Sequence, residues 1–391
     1  MGRLPKKVLL PAVLMVCFSA ASCRRGPRPI DIAVAVPLTG DMASEGRGIL
    51  KAVQLAVDEA NRAKALPRKL EVVAFDDRGS PREAANVAQL IVSEPGFLAV
   101  IGPYTSDCAL ESSRVYATAG IPMITPAATN PAVTLQQSNP GWPGPRVVFR
   151  VVPTDDVQGA FAARFVYERL KKRRVALAYD LSAYGMGLAK SFRKTFEELG
   201  GRVVGRESFA VGQRDFAGEA AALRKTGAQA VYFSGIYPEA ALLVRAMRDG
   251  GWGAPFISGD GANTPEFFDI AGPASQGAYV TTLGAPPRGS RRVASESSST
   301  AWEGLKGLGP FAPFAYEAAE IVIEALKQSG PSRSGLLLAL HKIRYRGLLG
   351  AVSFDAIGNA RSRALSMARA DYDSRRFLPV SVLRSRPAAK R

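Results

Sequence analysis

The chain has 391 residues, 47% apolar and 22% charged, with a formal net charge of +17 at neutral pH. That length supports two lobes with separate cores, and that apolar fraction excludes a disordered chain. The Lys and Arg residues are scattered, with short clusters at 171–174, 288–292 and the tail and none interleaved with aromatics, which argues against a nucleic-acid groove and leaves attraction to anionic envelope lipid or a solvated basic surface.

The first 22 residues carry Arg3, Lys6 and Lys7, then the apolar run VLLPAVLMVCF and the small-residue exit SAAS. This is a secretory signal, too short for a transmembrane helix with flanks. Ala20-Ala21-Ser22-Cys23 resembles the lipobox of bacterial lipoproteins, with Ala20 where leucine is usual. The resemblance implies a lipidated Cys23, a tether over 23–29 and membrane attachment in the cell envelope; cleavage nearby by ordinary signal peptidase is the alternative. Cys108 is then the one cysteine left in the folded part, so no internal disulfide is expected. There is no CxxC or HExxH, and the single histidine, His341, lies in a helical run; neither metal nor cofactor is expected.

From residue 30 onward, β-rich runs alternate with helical ones. IDIAVAVPL (30–38) reads as a strand, and in the following segment Ile49, Val53, Ala56, Val57 and Ala60 take helical spacing. KLEVVAFDD (69–77), the helix 81–94, FLAVIG (97–102), the helix 107–120 and IPMIT (121–125) continue the series. After a Pro/Gly-rich loop the alternation restarts at VVFRVVP and runs through RRVALAYD, GRVVGRESF, QAVYFSG and PFISGDG. GAYVTTL (277–283), a Ser/Arg-rich loop (285–300), two helices and three short strand-like runs close the chain. Such alternation predicts right-handed crossovers and parallel sheets covered on both faces. The expected fold is α/β: two doubly wound parallel-sheet lobes joined by a multi-crossing hinge. Lobe I takes 30–147, lobe II 148–277, a return to lobe I 278–355, and a C-terminal segment on lobe II, with a basic tail, 356–391.

Open parallel sheets bind ligands beyond the carboxyl ends of their strands. Those ends offer Tyr104-Thr105-Ser106-Asp107, then Thr125-Pro126-Ala127-Ala128-Thr129, then Tyr184-Gly185, Ile236-Tyr237 and Gly259-Asp260-Gly261. Ser106 is expected to cap a helix whose free N–H groups and positive dipole end suit a carboxylate. Ala127 and Thr129 add backbone groups and a hydroxyl, and their small side chains let a ligand lie close. Asp260, on the other unit, supplies a negative charge. An anion-binding rim facing a lone carboxylate is what a zwitterionic α-amino acid needs.

The motifs PLTGDMASEG, LAVDEAN, AVIGPYTS, GIPMITPAATNP, YGMG, YFSGIYPEA, GDG, FAYEAAE and GAVSFDAIGN resemble, in order and spacing, the type I periplasmic binding proteins for branched-chain amino acids. The resemblance implies two lobes closing over an amino acid that is delivered to the permease of an ABC importer, by a protein that is a monomer and not an enzyme. Ser106, Ala127 and Thr129 fall on the positions holding the α-carboxylate and part of the ammonium, Asp260 on the acid pairing with the ammonium, and Tyr184 on a second-lobe contact. Glu45 stands before Gly46 where the family often has an aromatic, which would put it near the ligand side chain. Ile236 stands where a tyrosine helps bind the ammonium, with Tyr237 one step on, and Thr105 stands at a half-position of the family's disulfide. A sensor of the same fold, signalling occupancy to a membrane partner, is the alternative reading. An enzyme is disfavoured: no GxGxxG follows a strand, and there is no GxxxxGK[ST], GxSxG or strand-end histidine.

Overall fold

The computed structural model describes residues 28–284, 296–361 and 364–383; the signal segment, Cys23, the basic cluster at 288–292 and the basic tail RSRPAAKR lie outside them. Lobe I begins with β1 (Ile30–Val36), α1 (Ala43–Arg62), β2 (Leu70–Asp76), α2 (Pro81–Ser93), β3 (Phe97–Ile101), α3 (Ser106–Thr118), β4 (Met123–Thr125), the single turn α4 (Ala132–Leu135) and β5 (Val148–Arg150). These strands form one parallel sheet in the order β2-β1-β3-β4-β5. All of β3 and all but one residue of β1 are buried. That is why they read as unbroken apolar runs, as strands covered on both faces do. On α1 the predicted stripe of Ile49, Val53, Ala56 and Val57 is buried.

Lobe II continues with α5 (Asp155–Arg164), β6 (Arg174–Asp180), α6 (Ala183–Glu198), β7 (Arg202–Phe209), α7 (Ala217–Lys225), β8 (Ala230–Ser234), α8 (Tyr237–Asp249), β9 (Phe256–Ser258), α9 (Pro265–Ala271) and β10 (Tyr279–Leu283). The chain then supplies α10 (Glu296–Leu305), α11 (Ala312–Ser329), α12 (Arg333–Lys342) and the hairpin β11 (Tyr345–Gly347)–β12 (Gly350–Val352) to the core of lobe I. It ends with β13 (Leu365–Asp371) and β14 (Arg376–Leu383), which extend the sheet of lobe II to the order β14-β13-β10-β9-β8-β6-β7. The last two strands pair antiparallel and the rest of that sheet is parallel.

Three expectations need correction. β5 pairs with β4 and belongs to lobe I, so the first boundary falls after Arg150 and not at 147; a strand's sheet is decided by its partner. β10 pairs with β9 and β13 in lobe II, so the return to lobe I starts at α10 and not at 278. The Ser-rich stretch expected as loop to residue 300 turns helical at Glu296. There Ala301 and Leu305 are buried in the lobe I core, and tertiary packing overrides the weak helical preference of a serine run.

The backbone passes between lobes from β5 to α5, from β10 to α10 and from β12 to β13. The first and last passages lie side by side: the Arg150 N–H donates to the Gly358 carbonyl at 2.9 Å, and the Ala360 N–H to the Arg150 carbonyl at 2.9 Å.

Candidate functional site

A cavity of about 390 Å³ lies between the lobes. Its walls come from the residues just beyond the carboxyl ends of β3, β4, β6, β7, β8 and β9, together with Met42, Gly79, Pro81 and Phe311. No Lys or Arg is among the lining residues. Asp107, Asp180 and Asp260 line it, and so do the apolar Met42, Leu181, Val211, Ile236 and Phe311.

On lobe I the loop after β4 is held from within. The Thr125 hydroxyl donates to the Pro103 carbonyl at 2.8 Å and accepts from the N–H of Ala128 at 2.9 Å and of Ala127 at 3.3 Å. Beneath it lies Arg150, fully buried, donating to the carbonyls of Ala128 (3.2 Å) and Asn130 (2.7 Å), to Thr134 Oγ1 (2.7 Å) and twice to Asn359 Oδ1. Burial lowers its pKa to about 10, still cationic at neutral pH. The signal for Arg150 was present in the sequence as a lone cation inside VVFRVVP. Its role follows from the fold: it fixes the ligand-side loop to the hinge.

Ser106 lines the cavity and is 1% exposed, but it does not cap α3. Thr105 does, its hydroxyl accepting from the Cys108 N–H at 3.3 Å. Ser106 is the first helical residue, and its Oγ accepts from the Asn130 N–H at 3.2 Å, tying the two strand-end loops together. Cys108 is buried, and burial pushes its thiol up, away from the reactive thiolate form.

On lobe II, Asp260 is 3% exposed and its Oδ1 accepts from the Tyr184 hydroxyl at 2.8 Å. The same hydroxyl accepts from the Gly261 N–H at 3.1 Å, and the Asp260 N–H donates to Gln158 Oε1 at 2.8 Å. Gly259 is required here because a side chain would collide with the Tyr184 hydroxyl and Leu188. Burial raises the Asp260 pKa, with the bonds from Tyr184 and Gln158 opposing the shift. Asp155 lies below: fully buried, pushed well up by burial and by the nearby Asp260 charge, with Thr129 as a hydrogen-bond partner and Oδ2 unpartnered. Asp155 and Gln158 carried no motif and were missed.

Six predicted residues, Ser106, Ala127, Thr129, Tyr184, Ile236 and Asp260, converge on this cavity. Glu45 and Tyr237 do not line it. Glu45 belongs to the first turn of α1, which starts at Ala43, before the expected loop has ended; Met42 lines the cavity in its place. The Tyr237 side chain spans the lobes instead, its hydroxyl donating to the Asp41 carbonyl. Other bonds also join the lobes: Asp107 accepts from the Ala183 N–H at 3.0 and 3.1 Å, Asn130 Nδ2 donates to the Ala183 carbonyl at 2.5 Å, and Ser44 Oγ donates to Glu266 Oε1 at 2.5 Å. The lobes are closed on each other. Among the described residues no group of three or more His, Cys, Asp or Glu is placed to hold a metal, and no helix is long and apolar enough to cross a membrane.

Two α/β lobes that touch around a cavity built from their strand ends define a hinged small-molecule binding protein. Residues 29–375 match the periplasmic binding protein family, and the chain belongs to it, in the type I class of branched-chain amino-acid ABC transporter proteins, a non-catalytic transport component. It is 33% identical over 349 residues to the Leu/Ile/Val-binding protein homolog 2 of Brucella abortus (strain 2308), covering 88% of this chain and 91% of the relative. Among solved structures it resembles the leucine-binding protein LivK of Thermotoga maritima, with 30% identity, a TM-score of 0.80 and coverage of 91% and 99% of the two chains. It also resembles LivJ of Streptococcus pneumoniae in complex with isoleucine, with 27% identity, a TM-score of 0.81 and coverage of 92% and 100%.

Proposed function

We propose that this protein captures a branched-chain or related small amino acid between its closing lobes and hands it to an ABC importer in the cell envelope. The observation that carries the reading is the polarity of the cavity: the N-terminus of α3 with Ser106 on lobe I, and the buried carboxylate of Asp260 on lobe II. The ligand α-carboxylate takes the N–H groups at the start of α3 and the Ser106 O–H, whose oxygen is already engaged as an acceptor. The ammonium takes Asp260, the Ala127 carbonyl and the Thr129 oxygen, with Asp155 as the other hydrogen-bond partner of Thr129. Met42, Leu181, Val211, Ile236 and Phe311 receive an aliphatic side chain.

Closure has a chemical cause under this scheme. A fully paired zwitterion loses little on burial, whereas an unpaired charge costs several kcal/mol. Only a ligand that engages both lobes therefore shifts the population to the closed form, which a permease can read as occupancy. The relatives named above, a Leu/Ile/Val-binding homolog and two leucine- or isoleucine-associated proteins, support the ligand class. We read the mature chain as a monomer held to the membrane through a lipidated Cys23, supported by the Ala20–Cys23 pattern. Calorimetry of the mature protein against the twenty amino acids tests the ligand class; folded protein with no heat across the panel refutes it. Mass spectrometry of the N-terminus tests the anchor.

A further inference from the structure

The seam beside the cavity holds a carboxyl that the binding scheme leaves unused. Glu45, on α1 of lobe I, is 4% exposed and its Oε2 has no partner. It faces Thr264 and Glu266, at the start of α9 on lobe II. Two acids from opposite lobes thus meet where the lobes close.

The protons at this seam can be assigned. The Ser44 hydroxyl donates to Glu266 Oε1 at 2.5 Å, and the Thr264 hydroxyl donates to Glu266 Oε2. Both hydroxyl protons thus go to Glu266, and the Thr264 oxygen, which already accepts from the Glu266 N–H at 3.1 Å, faces Glu45 with its remaining acceptor site. Its own backbone N–H donates to Glu45, and the other groups around it are engaged elsewhere or bring it no positive charge in contact. Tyr237, from α8, gives its hydroxyl proton to the Asp41 carbonyl. Arg47, on the same helix as Glu45, is exposed and donates to the Leu38 carbonyl at 3.2 Å. Tyr104, from the loop after β3, is a third neighbour; it is raised well above the ordinary phenol range and stays neutral. An ionised Glu45 would therefore be a buried carboxylate facing a like charge. A neutral Glu45 can donate to the Thr264 oxygen and complete the chain of bonds.

We propose that Glu45 is a positioning residue for lobe closure: it enters the closed seam as a neutral acid, so that closing the lobes takes up a proton. This rests on the reading of the cavity as the ligand site. The electrostatics agree, since burial first and the Glu266 charge next push Glu45 up to about 7, against its own backbone N–H and the Arg47 charge. Parting the lobes returns Glu45 to water and toward the ordinary glutamate value, about 4.3. The closed-state value is the raised one, so the contribution to closure is fully present below the open-state value and is lost as pH rises to about 7.

The test is calorimetry with L-leucine at pH 5.5 and 8.0 on wild type and Glu45→Gln, in buffers of different ionisation heat, with small-angle scattering of ligand-free protein over the same pH range. Wild type should bind roughly ten-fold or more tightly at the lower pH and take up close to one proton near pH 6. Glu45→Gln should bind alike at both pH values with no uptake through this site. Ligand-free wild type should contract as pH falls, and the variant should stay contracted. A wild-type affinity that does not change with pH, or a slope and proton uptake that survive in Glu45→Gln, overturns the proposal. If L-leucine binds at neither pH, the ligand class has failed, and scattering decides the seam alone: a radius of gyration independent of pH, or a pH response unchanged by Glu45→Gln, overturns it.

Discussion

Under the proposed binding scheme, replacing Asp260 removes the one lobe II charge that answers the ligand ammonium. The other two lining acids cannot take over. Asp107 is committed to the Ala183 N–H, and Asp180 Oδ1 to the Ser182 N–H at 3.1 Å and its hydroxyl at 2.5 Å. Asp260→Ala thus strands a buried ammonium and also leaves the Tyr184 hydroxyl without its acceptor. Truncating one partner of a buried charge pair costs about 2–5 kcal/mol, or roughly 30- to several-thousand-fold in Kd. Asp260→Asn keeps an oxygen for Tyr184 and removes only the charge, so the difference between the variants isolates the hydroxyl. Stability of the ligand-free protein should move the other way. The Asp260 pKa is raised by burial, so in the empty protein its ionisation costs stability increasingly as pH rises above the ordinary aspartate range. Asp260→Asn should then match or exceed wild type in ligand-free Tm at pH 8, with a smaller gain at pH 5. Titration calorimetry with L-leucine or L-isoleucine reads the first effect and differential scanning calorimetry the second. A folded Asp260→Ala protein binding within threefold of wild type refutes the zwitterion geometry.

Three further outcomes follow from the same contacts. Tyr184→Phe removes a hydroxyl that donates to Asp260 and accepts from Gly261; calorimetry should show a loss of about 1–2 kcal/mol in binding, while the thermal transition stays cooperative. Arg150→Met leaves the Ala128 and Asn130 carbonyls, Thr134 and Asn359 without their shared donor; thermal or urea unfolding should show a loss of about 3–5 kcal/mol. Asp107→Ala deletes the bond from α3 to the Ala183 N–H across the cleft; scattering should find less contraction on adding ligand, with affinity down by about 1 kcal/mol.

Much of the architecture is written into the order of residues. Apolar runs separated by helical stripes required parallel sheets with crossovers, and the small polar residues after β3 and β4, with GDG after β9, marked the strand ends that meet at the cavity. These features are local, set by side-chain periodicity and by the conformations that glycine, proline and hydroxyl residues permit. Partnership is not local. That β5 pairs with β4 and β10 with β9, and that a serine run turns helical under Ala301 and Leu305, were decided by neighbours distant in sequence. The same holds for Glu45. Its place before Gly46 could be read from the chain, but only the approach of the first turn of α1 to the first turn of α9, joined by the Ser44–Glu266 bond, placed it at the seam and set a second acid opposite it, because burial and like charge arise when the lobes meet and not before.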